Sequence, residues 1–168
     1  SGVFERFPTL QFVMTEQRTG WVPDTLKKMD GVWHAFNHGG VGELRMDGNT
    51  LKRSPSSYFE TNCTMGASFP SRDEADAIAA LGVDNVMWGS DYPHREGTYP
   101  DSVKSLRHVF HDWDPADLHK LFGGTAAKLY GLDIEPMAAL ELGPTVDEIA
   151  TPLETLPDNP SMAFGRRF

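Results

Sequence analysis

Three short apolar runs in this chain each end near a polar residue and give way to helical periodicity, and that alternation constrains the fold more than any other feature. The runs are LQFVMTE (10–16), YFETNCTM (58–65) and NVMWGSD (85–91). The first is rich in β-branched and aromatic residues with little alternation, the pattern of a strand buried on both faces. Between the runs, Val22, Leu26, Met29 and Trp33 recur at helical spacing behind Pro23, which suits a first helical turn. Ser71 and Glu74 stand in capping-box register, with Gly82 placed as the stop of that helix. Val103, Leu106, Val109, Phe110 and Trp113 share one helical face. Two short helices follow over 114–122 and 125–132, with Asp114 and Thr125 as their N-caps.

Strand alternating with helix means an α/β fold with a parallel sheet. A parallel sheet needs cover on both faces, and three strands leave open edges. A complete eight-stranded β/α barrel takes roughly 250 residues, about a hundred more than this chain has. The expectation is a fragment, or a chain that completes its sheet with another chain. Residues 37–57 carry Gly39, Gly40, Gly42, Gly48 and Pro55 and read as loop. Five of the twelve prolines fall in 136–168, which reads as an extended tail appended to a domain of residues 1–135.

Charge and cysteine usage narrow the function classes. A net charge of -9 disfavours a nucleic-acid partner, which would call for a basic face. No run reaches membrane-spanning length. The single cysteine, Cys63, rules out an internal disulfide and fits a reducing cytoplasm. A small-molecule substrate is the expected ligand, and the incomplete sheet and proline-rich tail suggest a homo-oligomer.

The candidate chemistry lies at strand ends. Glu16 and Asp91 hold equivalent places where two strands stop, which in β/α folds is where functional groups converge. A carboxylate on such a rigid element suits a metal ligand or a general base, or else simply caps the next helix. His94, three residues beyond Asp91, is close enough to share its pocket. Arg95 and Glu96 read either as substrate contacts or as an exposed ion pair. His34 and His38, four apart, have no acid placed between them and precede Gly39-Gly40, so they read as a histidine-stabilised helix C-terminus. HGGVGE lacks the flanks of a phosphate loop, no Gly-x-Ser-x-Gly elbow occurs, and the four tryptophans fall on core-like positions.

Taken together, FERFPTLQFVMTE, GWVPDTLKKMD, LKRSPSSYF, NVMWGSDYPHREGTYPDS and FGGTAAKLYGLD resemble the C-terminal half of the amidohydrolase-related proteins, the metal-dependent β/α barrels grouped with aminocarboxymuconate-semialdehyde decarboxylase. The resemblance runs from about residue 2 to residue 133 and makes the three runs strands six to eight of a (β/α)8 TIM barrel. It implies that Asp91 is the metal-ligating aspartate after the eighth strand and that Glu16 stands where decarboxylase members carry a catalytic histidine, a departure from them. The family's His-x-His after its first strand and its histidine after the fifth match nothing in this chain. By that resemblance the complete protein holds a divalent metal, zinc before manganese, and acts as a hydrolase through metal-activated water, or as a non-oxidative decarboxylase. A non-catalytic half-barrel interaction module is the alternative of a different class. The partner expected in the first case is the N-terminal half of the same barrel or another chain.

Overall fold

The computed structural model describes residues 2–39, 51–138 and 143–165. The elements in chain order are α1 (Val3–Arg6), β1 (Phe12–Gln17), α2 (Val22–His38), α3 (Pro55–Asn62), β2 (Cys63–Ser68), α4 (Ala75–Leu81), β3 (Val86–Gly89), α5 (Ser102–Phe110), α6 (Pro115–His119), α7 (Thr125–Tyr130), α8 (Glu135–Ala138) and α9 (Val146–Ile149). The three strands form one wholly parallel sheet in the order β1-β2-β3. Alternation along a strand puts Cys63, Met65 and Ala67 on one face of β2, and with Val86 they pack into the core against the helices. Ile78, Val109, Phe110, Leu118 and Leu121 close over that face, each no more than 1% exposed.

Several boundaries differ from the sequence expectation. The run 58–65 is not a strand throughout: residues up to Asn62 are helical and β2 begins at Cys63. Ser54 accepts a hydrogen bond from Ser57 N–H and Pro55 occupies the first turn, a start signal that outweighs the strand propensity of Tyr58 and Phe59. Tyr58, Phe59 and Asn62 then share a buried helical face. Asn62 donates from Nδ2 to Pro8 O and Leu10 O, both at 2.9 Å, and so fixes the entry into β1. Of the loop expected over 37–57, residues 40–50 lie outside the described residues, and its two ends belong to α2 and α3.

β1 is not buried on both faces either. Its residues are exposed or half-buried, with Phe12 at 52%, because β1 is an outer strand with one neighbour among the described residues. Trp21, expected in the core, is 47% exposed and lines an apolar groove beside β1 with Phe12, Met14, Leu26 and Met29. Trp88 and Trp113 do pack against the core. Asp114 caps α6 as expected, accepting from Ala116 N–H at 2.8 Å. Thr125 is no cap: a π-helical turn, Lys120–Gly124, runs α6 into α7 without a break, and Thr125 donates to Val83 O at 2.7 Å instead. The tail contributes to the same packing, since Ile149, Ala163 and Phe164 are buried and Arg107 donates to Thr151 O and Pro152 O.

The Ser71–Glu74 capping box forms, and Glu74 does more than cap. At 4% exposure it also accepts from Thr19 N–H at 2.7 Å and pairs with Arg18 at 2.9 Å, tying the segment after β1 to the one after β2. Glu74→Ala leaves buried donors without an acceptor and should cost about 2–3 kcal/mol, read as a lowered urea midpoint. A second tie, Arg72 to Asp112, holds the Asp112 carboxyl down to about 2. A depressed carboxyl contributes stability above its ordinary value of 3.8 and loses it as pH falls through about 2. With both side chains 42–50% exposed, the contribution should stay below about 1 kcal/mol. Urea midpoints of the wild type and Asp112→Ala should therefore converge on acidification from about pH 4 to about pH 2.

Candidate functional site

The carboxyl ends of the strands are built alike. Glu16, Phe69 and Asp91, at or just past the ends of β1, β2 and β3, have φ of 53°, 35° and 62°. Left-handed backbone is tolerated by Asp but is unusual for Glu and Phe. At Glu16 the cause is visible in the register. Met14 pairs with Met65 and Gln17 with Ala67, so Thr15 and Glu16 together oppose Gly66. This β-bulge bends the strand and re-aims the Glu16 side chain. Gly66 permits it, since a Cβ there would lie 3.3 Å from Thr15 Cα.

Asp91 and His94 sit on a compact loop. His94 N–H donates to Asp91 O at 2.8 Å, Gly97 N–H to His94 O at 3.1 Å and Thr98 N–H to Ser90 O at 3.0 Å. The loop closes over Gly97, where a Cβ would meet Ser90 O at 2.6 Å, Asp91 O at 3.0 Å and His94 O at 3.1 Å. His94 Nδ1 lies 3.1 Å from Asp91 Oδ2, with the Asp91 side chain 8% exposed and that of His94 55%.

These elements bring three sequence-predicted residues together. One ligand atom from each of Glu16, Asp91 and His94 lies within 4.8 Å of the others, the only such grouping of His, Cys, Asp or Glu among the described residues. No Lys or Arg among the described residues neutralises it. Among the described residues, Arg18, Arg72, Lys104 and Lys120 pair with Glu74, Asp112, Asp101 and Asp84, and none pairs with Glu16. Two carboxylates and an imidazole facing one another are a donor set that fits a divalent metal ion.

The other candidates separate from this cluster. Arg95 and Glu96 are exposed on the loop, and the ion pair expected between them is absent among the described residues. At an exposed position the entropy of ordering two long side chains is as large as the attraction. His34 and His38 stack at 4.1 Å, with His38 Nδ1 2.9 Å from His34 O, as a helix end rather than a metal pair. Burial pushes the Cys63 thiol up, which suits a packing residue rather than a nucleophile. The sequence reading missed Gly97 and the bonds that Glu74 makes beyond its capping box. A glycine four residues after a proline and an acid in capping register were the available signals, but neither discloses a long-range partner.

The amidohydrolase family model matches residues 1–132. The chain belongs to the amidohydrolase family. Similar solved structures of the superfamily include 5-carboxyvanillate decarboxylase from Sphingomonas paucimobilis, 29% identical with a TM-score of 0.60, over 79% of this chain and 37% of that one. A dihydroxybenzoic acid decarboxylase from Polaromonas sp. JS666, with bound manganese and 2-nitroresorcinol, is 22% identical over 79% of this chain and 37% of that one, TM-score 0.58. The 2,6-dihydroxybenzoate decarboxylase from Rhizobium is 21% identical over 79% and 38%, also with a TM-score of 0.58. This amidohydrolase chain thus spans little more than a third of the length of those structures. No curated protein sequence matches it. No helix among the described residues is long and apolar enough to cross a membrane.

Gly97 is the residue on which the loop's closure turns. Gly97→Ala should push the Ser90 and Asp91 carbonyls aside, cost about 1–3 kcal/mol in urea unfolding, and shift the amide NMR signals of residues 90–98 selectively. An alanine variant with wild-type stability and spectrum would show that the loop has room to spare.

Proposed function

We propose that this chain supplies strands six to eight of an amidohydrolase barrel and that the assembled protein is a metal-dependent hydrolase of a small organic substrate. The observation that carries the reading is the meeting of Glu16, Asp91 and His94 within 4.8 Å at the carboxyl ends of β1 and β3. Asp91 would hold a divalent cation with further ligands from outside the chain, and Glu16 would face it without being needed to hold it. The oxygen-rich set suits manganese at least as well as zinc. When bound, such a cation supplies Lewis-acid activation of water and of substrate oxygen.

The chain's own groups take distinct parts. Asp91, the less exposed carboxylate, engages His94 Nδ1 with one oxygen and so fixes the imidazole, leaving Nε2 to exchange a proton with the leaving group. Glu16, exposed on its bulge, is the proton acceptor from the attacking water. Arg95, next to His94 and exposed, is a cation for an anionic part of the substrate. The outer edge of β1 and its apolar groove receive the remainder of the barrel.

One observation favours a second reading, non-oxidative decarboxylation: the 29% identical structure is a decarboxylase. Against it stands the chemistry of Glu16, whose negative charge repels a substrate carboxylate and suits water activation better. Turnover assays with metal analysis separate these possibilities. Asp91→Asn should remove most of the bound metal while leaving thermal unfolding close to wild type. Glu16→Gln should keep the metal and lose about 100-fold or more in turnover. Release of carbon dioxide in step with substrate loss would sink the hydrolase reading in favour of the lyase.

A further inference from the structure

The family match ends at residue 132, yet the segment 143–165 beyond it is bonded to both stretches of chain that carry the candidate site. We propose that this segment is a positioning strap: Asn159 holds the base of the Ser90–Thr98 loop, and thereby Asp91 and His94, in register with Glu16. The inference rests on the metal-site reading for its purpose, but not for its geometry.

Asn159 is 4% exposed and Ser161 fully buried, and buried polar side chains persist where their hydrogen bonds are made. Asn159 Nδ2 donates to Asp101 Oδ2 at 3.2 Å and approaches Thr98 O at 3.5 Å, while its Oδ1 accepts from Ser161 N–H at 2.9 Å. Thr98 is the residue that closes the loop. Fully buried, it donates its N–H to Ser90 O at 3.0 Å, accepts from Asp101 N–H at 2.7 Å and shares a hydrogen bond with Ser102 at 2.8 Å. Asn159 therefore grips Thr98, which closes the loop, and Asp101, which bonds Thr98 from the other side. Asp101 is a charged acceptor there, its carboxyl held below the usual range first by the hydrogen bond from Lys104.

A second tether reaches the other side of the cluster. Met162 Sδ lies 3.4 Å from Arg18 Nη1, and Arg18, two residues after Glu16, also bonds Ser71 at 3.1 Å and Glu74 at 2.9 Å. Elsewhere the strap is attached for stability alone: Ile149 and Phe164 are buried, and Arg107 grips Thr151 O and Pro152 O at 2.8 and 2.9 Å. These attachments are separate from the loop, so stability and positioning can be tested apart.

Asn159→Ala and Arg107→Ala are compared in the full chain by urea unfolding, amide hydrogen exchange and manganese binding followed by electron paramagnetic resonance. Both variants should lower the urea midpoint. Only Asn159→Ala should speed exchange of the Gly97 and Thr98 amides by more than tenfold beyond its effect on global unfolding, and only it should weaken manganese binding, by fivefold or more. Equal exchange at those amides in the two variants would overturn the proposal, as would manganese affinity unchanged by Asn159→Ala in a chain that binds the ion. If the wild type takes up no manganese without the ligands from outside the chain, the exchange comparison alone decides whether Asn159 positions the loop.

Discussion

Everything at the candidate site depends on β2 being paired along both edges. A parallel ladder on each side fixes the register of β1 and β3 against one central strand, and so fixes where their carboxyl ends fall relative to each other. Glu16 and Asp91 are not neighbours in sequence and make no direct bond that would hold them together. They meet because β1 and β3 flank the same strand, and because a bulge against Gly66 turns Glu16 at the right place. Left-handed backbone at Glu16, Phe69 and Asp91 costs about 1–3 kcal/mol each, sustained only where the surroundings over-determine the conformation. Phe69 N–H bonded to Gly89 O at 2.8 Å and the closed loop after Asp91 are such surroundings.

Around this frame the polar ties share a design. Glu74 joins the segments after β1 and β2, Asn159 joins the tail to the segment after β3, and Arg18 touches both systems through Glu74 and Met162. Glu74 and Asn159 are buried polar side chains bonded to backbone groups or to charged groups on other segments. Such groups are costly if unpaired, so they specify one arrangement of the loops more sharply than apolar contact would. Rigid strands determine where the carboxylates start, and these ties determine where the loops bearing them go.

What was legible in the sequence follows the range of the interactions. The α/β alternation, the capping box at Ser71, the Asp114 cap and the strand-end acids Glu16 and Asp91 are local patterns, and the residues show them directly. The start of β2 was misplaced because Tyr58 and Phe59 have strand propensity, while the Ser54-Pro55 start signal lay just outside the apolar run. The exposure of β1 and Trp21 could not be read from composition, because an apolar run is the same whether its neighbour is present or not. Glu74, Gly97 and Asn159 act on chain segments up to 61 residues away or on a closure that exists only once the loop is folded, and no local pattern encodes that.

The open edge and the site are one problem rather than two. Among the described residues no strand pairs with the outer edge of β1, and an apolar groove of about 450 Å³ lies at its side, both of which favour cover by a further strand and helix. Glu16 belongs to that same strand and is exposed for the same reason. A segment pairing with β1 would also enclose Glu16, lower the dielectric around its carboxylate and bring its own side chains towards Asp91 and His94. Burying a second carboxylate close to Asp91 is unfavourable unless a cation enters with it. On the proposed reading, closure of the sheet and entry of a cation between Glu16 and Asp91 would therefore favour one another, through β1, the Asp91 loop and the strap behind it.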